Sequence, residues 1–369
     1  MIPIDHKVLV IKVGGLGDVL MATPALRSLK KSFPSCYVYF ATGLSNKAVL
    51  RNNPHVDEII DINDTHLLAG HFPAKFTEAL RLLRVFRRIK PDETFILHRD
   101  WRYNLLAFLS GAENRYGFRR DLKGLFLTQS VADVRDRREI EKYLAVFSLK
   151  EGFCSHGTEM DLFPSRTDVQ LADDFFARLS GSSRWIAMAP GGAANVKIEM
   201  ETKRWPLEYY TQLAGLLLGG GFGILLIGGA SDRHFTQQIS AEFIGKQVVD
   251  CAGMLSIHGT YLVLKRCSIL VTHDCGPMHV GACTGIPIIS IFGPTAPTEY
   301  APWGIDNCFC FWAGDTLPCA PCHAHGRFPV CSHRQCMYRV TSEMVYLKVN
   351  EILAAARQTA CDAGQEPRC

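Results

Sequence analysis

The sequence contains no apolar run approaching the roughly 18 residues that a membrane-spanning helix needs. Its opening stretch, Met1 to Lys7, lacks the apolar segment of a secretory signal. These two absences predict a cytoplasmic chain. Charge of one sign is not in large excess either: 40 Lys and Arg against 36 Asp and Glu leave a formal charge of +4. That is far from the dense basic character of a protein whose partner is nucleic acid, so no nucleic-acid partner is expected and any anionic ligand must be met by a local patch. A dinucleotide fingerprint is missing as well. Gly14-Gly-Leu-Gly17 does not spell G-x-G-x-x-G, and the second expected strand ends Tyr39-Phe40-Ala41-Thr42, with no acidic residue to hold a ribose. A nicotinamide enzyme is thereby disfavoured.

What is present is enough apolar material for two cores. The 369 residues are 47% hydrophobic and 21% charged, and domains usually contain about 100 to 200 residues. Lys7-Val-Leu-Val-Ile-Lys-Val13 reads as a buried parallel strand, followed at once by a glycine turn and by helical periodicity from Asp18 to Phe33, which Pro34 stops. Tyr37 to Thr42 and Glu93 to His98 read as further strands, and Pro73 to Ile89 as a helix. The pattern lapses into turn residues around Phe163-Pro-Ser-Arg-Thr-Asp168, which places a domain boundary near Ser165.

The second half, 166–369, restarts the alternation. Strands are expected at Trp185 to Ala189, Gly223 to Ile227, Ser268 to Thr272 and Ile286 to Phe292. Helices are expected at Pro206 to Leu218, Arg233 to Phe243 and Gly276 to Thr284, with a cysteine-rich loop over 308–336 and a closing helix. Alternation of this kind demands an α/β architecture with a parallel sheet covered by helices on both faces. In such sheets ligands bind beyond the carboxyl ends of the strands, so the residues there are the candidates for chemistry.

Each of those candidates also has an ordinary structural explanation. Gly17-Asp18 follows the first strand, where glycine permits close approach of a ligand, yet aspartate is also a favoured helix cap. Asp274, in Thr272-His-Asp-Cys-Gly276, admits the same two readings. Lys203-Arg-Trp-Pro206 is either a solvated basic pair or a clamp for a diphosphate leaving group. Pro190-Gly191-Gly192 and Gly228-Gly229 are turns at strand ends, His279 is a core histidine or a ligand contact, and Gly293-Pro-Thr295 is a turn or part of a site.

Taken in order, Gly17-Asp18 with Thr23-Pro-Ala-Leu26, Pro190-Gly, Lys203-Arg-Trp-Pro206, Gly228-Gly229, Asp274-Cys-Gly-Pro-Met-His279 and Phe292-Gly-Pro-Thr295 resemble glycosyltransferase family 9, the family of the lipopolysaccharide core heptosyltransferases. The resemblance runs from Val8 to Val345. It implies a GT-B fold, two Rossmann-like domains facing across a cleft. Residues 1–165 would form the acceptor side and 166–369 the nucleotide-sugar side. It implies an inverting transferase that moves heptose from ADP-heptose to a lipopolysaccharide core acceptor without a catalytic metal. Asp18 matches the family's general base and Lys203 the residue that holds the diphosphate. Asp274, Gly276 and His279 match the segment that binds donor sugar and phosphates, and Gly17, Gly191 and Thr295 complete the donor set. The family often has Asp-Thr-Gly where this chain has Asp274-Cys275-Gly276, and Asp232 is its acidic residue beyond Gly229.

Two further features belong to this reading. Arg81, Arg84, Arg87, Arg88 and Lys90 lie on one helix, where a solvated basic face is the default. Arg115, Arg119, Arg120 and Lys123 are expected in a loop, better suited to an acidic acceptor and to peripheral contact with the inner face of the cytoplasmic membrane. The chain also has 14 cysteines and, at this length and without an export signal, they are expected to be reduced thiols, buried or metal-bound. Cys319, Cys322, Cys331 and Cys336, with two, eight and four residues between them, have the spacing of a structural zinc or iron site. Rival functions are transfer of a related sugar to another glycan or a protein, and a non-catalytic nucleotide- or metal-binding protein. Loss of turnover with retained donor affinity on substitution of Asp18 separates enzyme from binder.

Overall fold

The computed structural model describes residues 6–119, 124–134, 137–179, 184–194, 199–302, 307–323 and 331–362. Two compact units divide the chain between Phe163 and Pro164. In the first, β1 (His6–Ile11), α1 (Leu16–Leu20), α2 (Thr23–Ser32), β2 (Cys36–Gly43), β3 (Glu58–Ile62), α3 (Phe72–Ile89), β4 (Glu93–Ile96), α4 (Trp101–Ser110), β5 (Asn114–Arg119), β6 (Gln129–Ala132) and α5 (Glu139–Phe147) follow in order. The strands form one six-stranded sheet in the order β3-β2-β1-β4-β5-β6, every neighbouring pair parallel. Val8, Leu9, Val10 and Ile11 are fully buried in the middle of it. Removing side chains of this size from water is worth about 1.5–3 kcal/mol each.

The single helix expected over Asp18 to Phe33 is broken at Met21 and Ala22. Pro24 sits in the first turn of α2 and has no N–H to continue a ladder from α1. The Thr23 hydroxyl donates instead to the Leu20 carbonyl at 2.8 Å. On α3, Arg81 pairs with buried Glu78 at 2.6 Å and Arg87 donates to the Leu109 carbonyl at 2.9 Å, so two of the basic residues of that helix brace the unit.

The second unit comprises α6 (Arg166–Ala177), β7 (Trp185–Met188), α7 (Leu207–Gly219), β8 (Gly223–Leu226), α8 (Arg233–Ala241), β9 (Val248–Asp250), α9 (Ile257–Leu264), β10 (Ile269–His273), α10 (Gly276–Ala282), β11 (Ile288–Phe292), α11 (Pro297–Tyr300), β12 (Cys308–Trp312), α12 (Gln335–Tyr338) and α13 (Ser342–Asp362). Its six strands order as β12-β11-β10-β7-β8-β9, again all parallel. The stretch expected to be a cysteine-rich loop over 308–336 therefore begins as strand β12, where Cys-Phe-Cys-Phe-Trp pairs with β11. Its alternating aromatics suit a pleated edge better than a loop.

Candidate active site

In the first unit, Gly14 and Gly15 turn the chain out of β1 and Asp18 occupies the third position of α1. The Asp18 carboxylate folds back so that Oδ2 accepts the Gly15 N–H at 2.8 Å. A side chain on Gly14 would meet that oxygen at 2.4 Å, which explains the glycine. Oδ1 lies 3.0 Å from the Lys12 ammonium and accepts from the Tyr143 hydroxyl at 3.4 Å. Gly15, not Asp18, thus occupies the cap position of α1, and Asp18 braces the helix start from its first turn. Crowding by the protein pushes the Asp18 carboxyl up, but Lys12, the Gly15 N–H and Arg99 outweigh it and hold the carboxyl below its ordinary value. Its side chain is 34% exposed, so it is open to solvent.

The next strand end carries His98, Arg99 and Asp100. Burial and then the Lys12 charge push the His98 imidazole down to about 3, so it is neutral at working pH. Its Nδ1 accepts the Asp100 N–H at 3.1 Å, which assigns the proton to Nε2. Arg99 is held by Asp133 at 2.9 Å and Glu139 at 2.6 Å.

Of the residues expected to meet the acceptor, Arg119 closes β5 at its carboxyl end, the end of the sheet that carries Asp18, and is exposed. Arg115 does not join it. It lies near the amino end of the same strand. Its guanidinium donates to the carbonyls of Phe126 at 2.6 Å and Glu113 at 3.1 Å and to that of Ala112, while stacking 5.4 Å from the Phe108 ring centroid. Arg120 and Lys123 lie outside the described residues.

In the second unit the donor candidates collect at the carboxyl ends of adjacent strands. Asp274 follows β10, is 4% exposed, and accepts from Lys203 at 2.6 Å and from the Thr295 hydroxyl, beyond β11, at 2.6 Å. Cys275, not Asp274, occupies the cap position of α10, so helix capping does not account for the aspartate. Burial pushes the Asp274 carboxyl up, yet Lys203 and Thr295 hold it below its ordinary value. Lys203 also sits 5.8 Å from the Tyr300 ring centroid. Trp205, 1% exposed, donates its indole N–H to the Val340 carbonyl at 2.7 Å; that anchor fixes the Lys203-Arg-Trp-Pro206 segment.

Gly191 and Gly192 follow β7. A side chain on Gly191 would meet Asp232 at 2.4 Å, and Gly192 has φ +82° and packs against Cys275. Asp232 accepts the N–H groups of Gly192 and Gly229 at 2.8 Å each. It therefore ties the turns after β7 and β8 together, a bracing role the sequence did not disclose. Gly276 opens α10, and His279 is 5% exposed within it. Cys275, where the family often has threonine, lies 3.3 Å from the Thr272 hydroxyl.

The four thiols of the expected metal site are all described, and Cys336 lies against Gly293. Burial, then Cys322, Cys331 and Cys319, push the Cys336 thiol up to about 11, so the four lie within electrostatic reach of one another. Among the described residues, no group of three or more His, Cys, Asp or Glu is drawn together tightly enough to hold an ion.

Two parallel six-stranded Rossmann-like sheets, with candidate residues at their carboxyl ends, are the architecture of the GT-B fold. The model of glycosyltransferase family 9 (heptosyltransferase) matches residues 80–327, and the chain belongs to that family. Lipopolysaccharide heptosyltransferase 2 of Salmonella typhimurium is 26% identical over 304 residues, covering 79% of this chain and 84% of that one. A family 9 glycosyltransferase structure from Veillonella parvula, 22% identical, covers 95% of this chain and 98% of its own with a TM-score of 0.76. The structure of Escherichia coli ADP-heptose lps heptosyltransferase II, 20% identical, covers 95% and 100% with a TM-score of 0.74.

The geometry around Asp18 makes a direct prediction. Gly14→Ala will push the carboxylate off its seat, because the new carbon would stand 2.4 Å from Oδ2. Turnover is expected to fall by about 100-fold, as for an angstrom-scale displacement of a reacting group. Chemical denaturation should show a loss below about 2 kcal/mol, since only one side chain must move. A variant with near-normal turnover would mean that the seat is not needed for activity.

Proposed function

We propose that this chain transfers heptose from ADP-heptose to a lipopolysaccharide core acceptor with inversion at the anomeric carbon. The observation that carries the reading is the pair of charge arrangements, one per unit. A partly exposed, ionised Asp18 stands past β1, and a cation bound to a buried aspartate, Lys203 with Asp274, stands past β10. Asp18 takes the proton of the acceptor hydroxyl as that oxygen forms its bond to the anomeric carbon. The bond from that carbon to the diphosphate breaks at the same time, its electron pair leaves on the phosphate oxygen, and Lys203 meets the charge. A single displacement of this kind inverts the centre. Arg119 and the basic stretch after it are proposed to meet the acidic acceptor.

Family membership and the named relatives support the donor and acceptor classes. Cys275, in place of the usual threonine beside Asp274, favours a second reading in which a related sugar or another acceptor is used. Incubation with a panel of nucleotide sugars and purified core acceptors, read by mass spectrometry, decides between them: a gain of one heptosyl unit from ADP-heptose supports the first. A gain of another sugar from another donor supports the second.

Among the described residues no helix is long and apolar enough to cross a membrane. We propose that the chain works in the cytoplasm, with peripheral contact where its lipid-linked acceptor lies.

A structural zinc or iron at Cys319, Cys322, Cys331 and Cys336 is part of the same proposal, supported by their spacing. Thiolates bind metal only after losing their protons, so the ion would draw the four together and brace the segment before α13. Metal analysis of protein purified without added metal should find close to one equivalent, and Cys319→Ser/Cys322→Ser should lose it and melt at a lower temperature while its chemical rate changes less. Less than a tenth of an equivalent, with unchanged melting in the variant, would rule the metal out.

A further inference from the structure

Lys12 is the residue immediately after β1, and it is 4% exposed. Its backbone N–H donates to the Ala41 carbonyl at 3.0 Å, which fixes it to the neighbouring strand β2. A buried ammonium is costly unless paired. This one is paired: Nζ stands 3.0 Å from Asp18 Oδ1 and 5.1 Å from the Tyr143 ring centroid. The Tyr143 hydroxyl reaches the same carboxylate oxygen. With the Gly15 N–H on Oδ2, the carboxylate is gripped at both oxygens, by a cation on one and a backbone donor on the other.

The charged and titratable groups around it come from three elements. The end of β4 presents neutral His98 and cationic Arg99. From α5 come Glu139, Lys142 and Tyr143, with Lys142 3.0 Å from Glu139. Asp133 completes the grip on Arg99. Lys12, Arg99 and Lys142 balance Asp18, Glu139 and Asp133 only while Asp18 is ionised.

We propose that Lys12 is a positioning residue for the transfer reaction: its ammonium orients the Asp18 carboxylate and keeps it in the proton-accepting form. The inference rests on the reading of Asp18 as the base. Without Lys12, burial and the remaining anions act on Asp18 with less opposition, and its carboxyl rises. A carboxyl that rises is protonated at higher pH, so the acidic limb of the rate profile must move up.

The test compares wild-type protein with Lys12→Met, Lys12→Gln and Lys12→Arg, by the pH profile of kcat and by carbon-13 NMR titration of the Asp18 carboxyl, assigned with Asp18→Asn. Lys12→Met should shift the acidic limb and the carboxyl titration upward together by about one to two pH units. It should lower plateau kcat about tenfold and leave the donor KM within about twofold, the mark of an interaction used in the chemical step. Lys12→Arg should restore most of both shifts. Lys12→Gln, which keeps a neutral donor, takes the place of the methionine variant if that one fails to fold, with the same expected direction. An unmoved limb and an unmoved carboxyl titration in the folded Met or Gln variant would overturn the proposal. A moved titration with full activity retained in Asp18→Asn would instead overturn the base assignment while leaving the grip of Lys12 on Asp18 intact.

Discussion

Asp18→Asn is expected to fold and to lose turnover by about two to four orders of magnitude, the usual worth of a positioned general base. Asparagine has the same shape, and its carbonyl can still accept the Gly15 N–H that Asp18 Oδ2 accepts at 2.8 Å. What it lacks is the capacity to take a proton and the charge that pairs with Lys12. Removing one partner of a fully buried pair costs about 3–5 kcal/mol. Here the Asp18 side chain is 34% exposed but the Lys12 ammonium left without its charge partner only 5%, so solvent relieves the pair on one side only and the cost sits at the lower end of that range, about 3 kcal/mol. Donor affinity should remain, because every donor candidate except Gly17, whose backbone the substitution leaves in place, lies on the other unit. Single-turnover kinetics beside calorimetric titration with ADP-heptose checks both halves. Activity falling only in proportion to the fraction unfolded would leave Asp18 with only its bracing role at the start of α1.

Lys203→Ala is expected to weaken ADP binding by about tenfold to a hundredfold, because a charge-assisted contact to phosphate is worth roughly 1.5–3 kcal/mol. It should also destabilise the second unit, since Asp274 is 4% exposed and would lose its cation. The sign with pH follows from the depressed Asp274 carboxyl. In the wild type, the pair's contribution is present above the ordinary carboxylate range and fades as pH falls through the lower folded-state value. In the variant the carboxyl, freed of Lys203, rises, so the variant should be less stable at pH 7 than at pH 5. The double variant Lys203→Ala/Asp274→Asn removes the stranded charge and should recover stability without recovering ADP affinity. Melting curves at the two pH values, with calorimetry for ADP and ADP-heptose, separate the two effects. Unchanged affinity and turnover in the single variant would make Lys203 only a partner for Asp274.

The alternation of strands and helices was readable because parallel strands buried on both faces are written as continuous apolar runs, as at Val8 to Ile11 and Trp185 to Met188. Their ends were readable because Gly, Pro, Asp or His follows them. The break between α1 and α2 was harder to see: the apolar spacing runs through it, and only Pro24 marks it. Short, half-buried β9 and the aromatic-cysteine edge strand β12 carried weaker patterns.

The same distinction holds for the site. Asp18, Lys203, Asp274 and Thr295 stand in motifs, and the fold brings the last three together. Lys12 looked like one more residue at the end of a strand, and Tyr143, which joins it on Asp18, is 125 residues away in the chain from that carboxylate. Arg99 was hidden in the same way, since its partners Asp133 and Glu139 lie 34 and 40 residues further on. Arg115 shows the reverse case: basic composition pointed to a ligand, and the side chain donates to nearby backbone carbonyls.

The most direct measurement of the whole account is mass-spectrometric detection of product from ADP-heptose and a purified heptose-deficient core acceptor, run in parallel with wild-type protein and folded Asp18→Asn. The account predicts that wild-type protein adds one heptosyl unit and releases ADP, with the rate in Asp18→Asn lower by about two to four orders of magnitude. No heptosyl product from the wild type under conditions where ADP-heptose binds, or equal rates from the two proteins, would contradict it.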